Sequence, residues 1–382
     1  MGFDWPVSAP PVSLPAQSIP RRPFVTEQTN YLFCGGGSGG HLFPGLAVAE
    51  VLLRRDPASA VAFAGSTREV EQTVFSGSSA EHIAIEMLPA SALCRSPFQF
   101  IRTHRAAVAR SLEILDQRQP AAVIGLGGFA SVPVVTAAAK RQVPIVLLEQ
   151  NRVAGRATRW LARKASAVCI AFPETIIQSA KPEVILTGNP VRTSIVAERS
   201  GPEPGNEILV LGGSQGATRL NDAVLAVLSD ETALPLGWRI AHQTGPSDEQ
   251  RVRSHYKKHG IDARVAAFFD DMPGRYRNAS ILISRAGGTT LAELSCVGRA
   301  SVLVPFPNSV GDHQLKNAEC FADSNAAILV QHGSESVTQL RAAISQLVGD
   351  RNERERLASS MKLLGSPDAA SRVADVVQRV GR

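Results

Sequence analysis

The sequence of 382 residues lacks any apolar run near the roughly 18 residues needed to cross a bilayer, so no membrane-spanning segment is expected. Its five cysteines are scattered, without the close spacing of a zinc or redox site. A reduced, cytosolic compartment is therefore expected. The first residues are rich in proline and serine but lack an apolar h-region, so we interpret 1–26 as a mobile extension and not as a secretory signal.

Two phosphate-loop signatures are also incomplete. No G-K-[ST] follows a glycine loop, which excludes a Walker-type loop. Gly35, Gly37 and Gly40 in "CGGGSGGH" do fit G-x-G-x-x-G, but a dinucleotide site also needs an acid where the second strand ends, and here it ends in "FAGST". An NAD-dependent dehydrogenase is therefore not supported. Five glycines around Ser38 exceed what a tight turn requires, which favours a ligand close to the backbone.

The sequence does contain a repeated rhythm of short apolar runs and amphipathic segments. Hydrophobic residues make up 44% and charged residues 19%, with a net charge of +6, which is typical of a folded protein with a modestly basic surface. Strands alternating with helices predict parallel sheets, and the rhythm restarts after a proline- and glycine-rich stretch. We predict an α/β fold of two doubly wound, Rossmann-like domains facing across a cleft. The predicted parts are a first domain (27–190), a linker (191–206), a second domain (207–365) and a C-terminal helix (366–382) that packs back on the first domain.

His41 follows the first glycine loop at the start of a predicted helix. A lone histidine is usually structural. The positive end of a helix disfavours imidazolium, however, and so favours a neutral ring that can accept a proton. His41 is thus a candidate general base.

The second domain carries two further turns. "LGGSQGA" places Ser214 among glycines at a helix start, where free amides favour phosphate. In "RAGGTTLAEL", Thr290 and Glu293 fit a capping box, but Glu293 could equally accept from a ribose diol. Both interpretations of Glu293 stay open at this point.

Three polar side chains near the cleft also have two interpretations each. Arg192 in "GNPVR" suits either a phosphate clamp or an interdomain salt bridge. Gln314 and Asn317 lie three residues apart on one predicted helical face, where amides suit sugar hydroxyls or a capping role.

Eight separated motifs, running from near Tyr31 to the C-terminal part, together carry a family resemblance. They are "GGGSGGHLFPGLAVA", "GLGGFASVPVVTAA", "LLEQNRVAGRATRWLA", "GNPVR", "LGGSQGATRLN", "FFDDM", "SRAGGTTLAEL" and "PFPNSVGDHQLKNA". The sequence resembles the MurG family of bacterial peptidoglycan glycosyltransferases. The resemblance implies a GT-B fold and inverting transfer of N-acetylglucosamine (GlcNAc) from UDP-GlcNAc to the C4 hydroxyl of undecaprenyl-diphospho-N-acetylmuramoyl-pentapeptide (lipid I), giving lipid II.

The resemblance also implies roles for individual residues. His41 would be the base, and Gly127 and Gly128 would hold the acceptor diphosphate. Around UDP-GlcNAc, the residues at the junction of donor and acceptor would be Ser38, Gly39 and Gly40, and Asn151 would contact the transferred sugar or its acceptor. Arg192 and Ser214 would hold the diphosphate, and the backbone of Phe269 would read the uracil. The nucleoside would be surrounded by Gly288, Thr289, Thr290, Leu291, Ala292 and Glu293, with Glu293 on the ribose, and Gln314 would hold the GlcNAc hydroxyls.

No D-x-D motif occurs near the proposed donor site. We expect Asp270 and Asp271 to be structural or near the nucleotide, so no metal and no cofactor is expected. The expected partners are UDP-GlcNAc, lipid I and an anionic membrane surface, without nucleic acid, and association with other cell-wall synthesis proteins is left open. The alternatives are another GT-B lipid glycosyltransferase, a UDP-GlcNAc epimerase and an inactive nucleotide-sugar-binding scaffold.

A lipid acceptor requires a membrane contact. In "ASALCRSPFQFIRTHRAAVARS" apolar side chains alternate with arginines, which predicts peripheral binding at the cytoplasmic face of the inner membrane. The alternative is an ordinary amphipathic helix packed on the core. The contact residues predicted here are Leu93, Arg95, Phe98, Phe100, Ile101 and Arg102.

Overall fold

The chain folds around two parallel β-sheets. The computed structural model describes residues 28–36, 39–66, 71, 75, 81–86, 96–201, 203–213, 216–228, 234–307 and 309–382. Among these residues no helix is both long enough and apolar enough to cross a bilayer. The extension predicted at 1–26, and Ser38, Leu93, Arg95 and Ser214, lie outside the described residues.

The first sheet has seven strands in the order β3-β2-β1-β4-β5-β6-β7. Its elements, in chain order, are β1 (Asn30–Cys34), α1 (Gly39–Arg55), β2 (Ala60–Gly65), β3 (Glu81–Ala84), α2 (Pro97–Arg118), β4 (Ala122–Gly125), α3 (Ser131–Lys140), β5 (Ile145–Glu149), α4 (Arg156–Leu161), a 3₁₀ turn (Ala162–Lys164), β6 (Ala167–Ile170) and β7 (Glu183–Leu186).

The second sheet has six strands in the order β10-β9-β8-β11-β12-β13. Its part of the chain contains α5 (Thr193–Val196), a 3₁₀ turn (Ala197–Ser200), β8 (Glu207–Leu211), α6 (Thr218–Leu228), β9 (Arg239–Gln243), α7 (Glu249–Lys258), β10 (Ala263–Ala266), α8 (Met272–Asn278), β11 (Ile281–Ser284), α9 (Gly288–Val297), β12 (Ala300–Leu303), a 3₁₀ turn (Val310–Asp312), α10 (His313–Asp323), β13 (Ile328–Leu329), α11 (Ser336–Gly349), α12 (Arg351–Leu363) and α13 (Ala369–Val380).

Every strand pair in both sheets is parallel. The central strands β4, β5, β11 and β12 are buried along their whole length, because helices cover both faces of each sheet. Their continuous apolar sequences, such as "AVIG" and "ILIS", are the pattern of such strands. The predicted α/β fold with two doubly wound domains is confirmed.

The strand order reverses once in each sheet, between β1 and β4 and between β8 and β11. At such a switch point the loops that leave the carboxyl ends of the two strands diverge and open a crevice, which is where ligands of open α/β sheets bind. The glycine-rich turns after β1, β4, β8 and β11 all lie at these two positions. The glycine-rich turns predicted from the sequence therefore follow the carboxyl ends of the strands on either side of the two switch points.

The two chain segments that connect the domains pack closely. Residues 191–206, predicted as a linker, include α5, and its Ile195 is fully buried in the core beneath the second sheet. Helix α13 packs in the core of the first sheet, where Val373 and Val377 join Phe33 and Leu52. The chain therefore returns to the first domain at its C-terminal end.

Candidate active site between the two domains

A cleft of about 940 Å³ lies between the two switch points. It is lined by both domains, so neither half of the chain forms it alone. Its wall from the first domain includes the turn after β4 and the loop after β5, and its wall from the second domain includes the start of α9 and of α10. Predicted site residues in this lining are Gly40, His41, Gly127, Gly128, Asn151, Gly288, Thr289, Thr290 and Gln314.

His41 lines the cleft and is the third residue of α1. Burial lowers the pKa of His41 below its ordinary value, and the nearby His313 acts in the same direction, while Glu149 opposes both. The ring is therefore neutral at pH 7 and able to accept a proton. Desolvation is the largest cause, so the cleft and not the helix end alone sets the state of this imidazole.

The turn after β4 supports the His41 ring. Gly127 and Gly128 have φ values of +89° and +70°, a region that side chains other than glycine rarely adopt. A methyl group on Gly127 would come within 3.3 Å of His41 Cδ2, and one on Gly128 would lie 2.9 Å from the Gly36 carbonyl oxygen. Both glycines thus let the backbone approach the imidazole closely. This packing is a second reason, besides the predicted phosphate binding, for glycine at these positions.

The loop after β5 is held by Glu149, a residue that sequence reasoning did not select. One Glu149 oxygen accepts from the Asn151 backbone N–H (3.1 Å) and from Asn151 Nδ2 (3.2 Å), and the other accepts from the Gly155 N–H (2.9 Å). Gln150 Nε2 donates to the Leu126 carbonyl (2.9 Å), which ties the loop to the turn after β4. A carboxylate at the end of a buried strand was the available signal in "LLEQN".

Asn317 joins the two domains from α10. It is fully buried, and its Oδ1 accepts from the Arg152 N–H at 2.9 Å. Its Nδ2 donates to Asn151 Oδ1 at 3.0 Å and to the Ala286 carbonyl at 3.2 Å. The sequence placed Asn317 on a sugar-binding or capping face, whereas the structure uses its carboxamide to connect the loop after β5 with the second domain.

Arg192 also spans the domains. Its guanidinium lies 4.2 Å from the centre of the Phe43 ring on α1, and its Nη2 is 3.4 Å from Glu293 Oε1 on α9. Arg192 therefore joins the domains through the Phe43 ring, while its ion pair with Glu293 lies on the second-domain side and is not the interdomain salt bridge considered from the sequence. A phosphate role is compatible with it, since a guanidinium has five donors.

Glu293 is buried between Arg192 and Tyr276. The Tyr276 hydroxyl donates to Glu293 Oε2 at 2.7 Å. Burial raises the pKa of Glu293, while Arg192 and Tyr276 act against the shift. Helix α9 has Gly287 as its N-cap, without a side-chain cap, so the capping box of Thr290 and Glu293 does not form. The ribose role of Glu293 stays a prediction.

The start of α9 presses against the first domain. The Thr289 hydroxyl donates to the Gly40 carbonyl, and a methyl group on Gly288 would lie 2.1 Å from the Gln150 carbonyl oxygen. The backbones of the two domains are in contact here, so the cleft is closed at this edge. Leu291 and Ala292 point elsewhere: they line a second interdomain cavity of about 280 Å³, behind α9.

Two predicted donor contacts have partners within the protein. The Phe269 N–H donates to Gln243 Oε1 at 3.0 Å, so the amide proposed to read uracil is occupied by a side chain. Gln314 Oε1 accepts from the Phe306 N–H at 2.9 Å, which links the start of α10 to the loop after β12. The Gln314 side chain also lines the cleft. Sequence reasoning did not identify Gln243.

The predicted membrane contact falls on the first turns of α2. Phe98 is 81% exposed and Ile101 is 47% exposed, and Arg102 is exposed beside them. Phe100 instead turns inward, and its ring centre lies 5.5 Å from that of Phe129 at the cleft. The remainder of α2 packs on the core through residues including Ile114 and Leu115. This helix therefore combines an exposed apolar end, as a membrane contact requires, with an ordinary amphipathic part packed on the core.

A basic and aromatic patch on α4 lies at the outer end of the same cleft. Trp160 is 47% exposed and lines the cleft together with Arg156 and Arg159. Arg163 continues the patch along the chain. The membrane contact predicted from the sequence did not include this segment, although a tryptophan among arginines is a signal that the sequence displays.

No group of three or more His, Cys, Asp or Glu side chains within the described ranges is arranged to hold a metal ion. Asp271 Oδ1 accepts from the Gly274 N–H at 2.9 Å and caps α8. Asp271 thus has the structural role that was one of its two expected roles.

Two family profiles cover most of the chain. The glycosyltransferase family 28 N-terminal domain matches residues 31–170, and the C-terminal domain of the same family matches residues 207–377. Together with the two sheets and the cleft between their switch points, these matches define a glycosyltransferase of GT-B architecture.

Curated relatives and a solved structure narrow the class. A UDP-N-acetylglucosamine–N-acetylmuramyl-(pentapeptide) pyrophosphoryl-undecaprenol N-acetylglucosamine transferase of Anaeromyxobacter sp. (strain K) is 36% identical over 92% of this chain and 93% of that protein. The transferase of the same name from Pelobacter propionicus is 36% identical over 91% of this chain and 98% of its own. The crystal structure of Acinetobacter baumannii MurG is 29% identical, covers 92% of this chain and 99% of that chain, and superposes with a TM-score of 0.68. The chain belongs to this family of N-acetylglucosamine transferases.

Proposed function

We propose that this protein transfers N-acetylglucosamine from UDP-GlcNAc to the C4 hydroxyl of the N-acetylmuramoyl residue of lipid I, giving lipid II for peptidoglycan synthesis. The placement of His41 supports this most directly. A neutral imidazole lines an interdomain cleft, between a glycine turn of the first domain and the start of α9 in the second. A base there can reach a hydroxyl held between the two domains.

In the proposed reaction His41 accepts the proton of the C4 hydroxyl as its oxygen attacks the anomeric carbon of GlcNAc. The bond from that carbon to the diphosphate breaks on the opposite face, so the α-linked donor gives a β-linked product and UDP leaves. Negative charge then grows on the diphosphate. Arg192 and the amides at the start of α9 would stabilise this charge, and no metal ion is needed in this scheme.

The cleft divides between donor and acceptor in this proposal. The acceptor diphosphate lies at Gly127 and Gly128, and the sugar contacts Asn151. The donor lies on the second domain, with its ribose at Glu293 and its uracil at the backbone of Phe269. The other donor contacts are Ser38, Gly39, Gly40, Ser214, Gly288, Thr289, Thr290, Leu291, Ala292 and Gln314.

The same proposal divides the chain into domains of 27–190 and 207–365, with 191–206 as the connection and 366–382 completing the first domain. It places the protein peripherally on the cytoplasmic face of the inner membrane. Exposed Phe98 and Ile101 would enter the anionic surface, with Arg102 and the arginines of α4 beside them. The lipid tail of the acceptor would then leave the cleft past Phe100 and Trp160.

The test is a transfer assay with radiolabelled UDP-GlcNAc and a lipid I analogue, with and without EDTA. Transfer should survive the chelator. His41→Ala should lose turnover by about 10²- to 10⁴-fold, the range for a general base, while UDP binding measured by calorimetry stays within twofold. A normal rate in His41→Ala would refute the base assignment. Transfer to another lipid but not to the lipid I analogue would refute the acceptor.

A further inference from the structure

Asn317 on α10 and Asn151 in the loop after β5 are 166 residues apart in the chain and belong to different domains. The Asn317 carboxamide makes three hydrogen bonds, and two of them, to Asn151 Oδ1 and from the Arg152 N–H, cross the domain boundary. The third, to the Ala286 carbonyl, anchors the side chain in its own domain next to the start of α9. Asn317 is fully buried in this arrangement.

The connection continues beyond Asn151. Asn151 Nδ2 donates to Glu149, and the same carboxylate holds the Asn151 and Gly155 N–H groups. The orientation of the Asn151 amide is thereby fixed from two sides, by Glu149 within the first domain and by Asn317 from the second. Only the bonds to Glu149 can persist when the domains separate, since the others need both domains in contact.

We propose that Asn317 is a positioning residue that completes the sugar contact only when the cleft closes. With the domains apart, the Asn151 amide would be held from one side only, by Glu149. Closure brings Asn317 onto Asn151 Oδ1, orients the amide toward the transferred sugar and joins the loop after β5 to the start of α9. The acceptor-side loop and the donor-side helix are therefore assembled in one step, which makes catalysis dependent on closure.

This inference rests on the proposed contact between Asn151 and the sugar, and the test separates the two. Asn317→Asp keeps the shape of the side chain and the oxygen that accepts from Arg152, but it replaces the nitrogen that donates to Asn151 and to the Ala286 carbonyl with a second oxygen. We expect kcat for transfer to fall about tenfold or more, since two oxygens would then face each other across the interface. The affinity for UDP, measured by calorimetry, should stay within twofold. Lys316→Gln, a change at the exposed neighbouring position, is the control.

A double-mutant cycle gives the decisive readout. If Asn317 acts through Asn151, the kcat of Asn151→Ala/Asn317→Ala should be close to that of Asn151→Ala alone. Independent, multiplicative losses would overturn the proposal, as would a normal kcat in Asn317→Asp alongside an impaired Asn151→Ala. If Asn151→Ala itself has a normal rate, the sugar contact fails instead. If the Asn317 variants do not fold, small-angle X-ray scattering of Asn151→Ala with UDP bound provides the test. A larger radius of gyration than that of the unmodified protein supports the proposed contact between Asn317 and Asn151, and an unchanged radius of gyration refutes it.

Discussion

Replacing Gly128 by alanine tests whether the turn after β4 positions the imidazole of His41, the proposed base. Gly128 has a φ of +70°, and an L-residue held in that region costs roughly 1–2 kcal/mol. The added methyl group would also lie 2.9 Å from the Gly36 carbonyl, where ordinary contact begins at 3.4 Å, and 3.8 Å from His41 Cε1. The turn must therefore move by about 0.5 Å, in the wall that supports the ring.

Gly260→Ala separates strain from displacement. Gly260 has a similar φ of +63°, and nothing lies within 4 Å of the position of its added methyl group. Gly260→Ala should lose about 1–2 kcal/mol of stability from the strained φ, which lowers Tm by roughly 2–8 °C in a domain of this size. Gly128→Ala should lose at least as much, because its methyl group also meets the Gly36 carbonyl. Only Gly128→Ala should also lose rate. A shift of about 0.5 Å at a reacting group predicts a kcat on the order of tenfold lower, given that a 1 Å misplacement can cost about 10²-fold.

Thermal unfolding gives the stability of each variant, and the transfer assay at saturating donor and acceptor gives its kcat, so that weaker binding of the acceptor diphosphate at Gly128 is not counted as a loss of rate. If Gly128→Ala loses the stability but keeps its kcat within twofold, the turn does not position His41 and the reasoning is wrong. Equal losses of rate in Gly128→Ala and Gly260→Ala would also refute it, because strain alone would then account for the effect.

Two further predictions concern proton transfer and the membrane. Because burial lowers the pKa of His41, the proposed base is still mostly neutral at pH 6.5. We expect kcat to fall only as the pH drops through that lowered pKa. An acidic limb centred above pH 6.5 in the kcat profile would contradict this. Phe98→Asp should weaken binding to vesicles with 30 mol% anionic lipid by about tenfold or more in a sedimentation assay, since a buried aromatic side chain contributes roughly 1.5–3 kcal/mol. The control is Leu363→Asp at an equally exposed apolar position on α12, and equal losses in both variants would show that α2 is not the contact.

Local patterns were sufficient to predict the architecture. The continuous apolar strand "AVIG" and the glycine turn that follows it are read within a window of a few residues, and they set β4 and the turn at Gly127 and Gly128. The position of His41 at the start of α1 follows in the same way. These features depend on neighbouring residues, which a single sequence displays.

The sequence could not decide between two roles for a side chain when the chemistry of the side chain suits both. The contacts between the domains were needed to decide. Arg192 could bind a phosphate or join the domains, and only the position of Phe43 shows the second contact. Asn317 looked like a sugar or capping residue because its partner Asn151 lies 166 residues away. The capping box at Thr290 matched a local pattern, but α9 begins at Gly288, too early for Thr290 to cap it.

The packing of α13 on the first sheet bears on how the chain is made. Val373 and Val377, close to the C-terminal end, fill the same core as Tyr31 and Phe33 of β1. During synthesis from the ribosome, the first domain therefore cannot finish its core when its own sheet is complete. Its apolar face stays uncovered until the second domain has been synthesised and α13 reaches back. Folding of the first domain thus depends on synthesis of the second, and a chain that lacks α13 would present that face to chaperones.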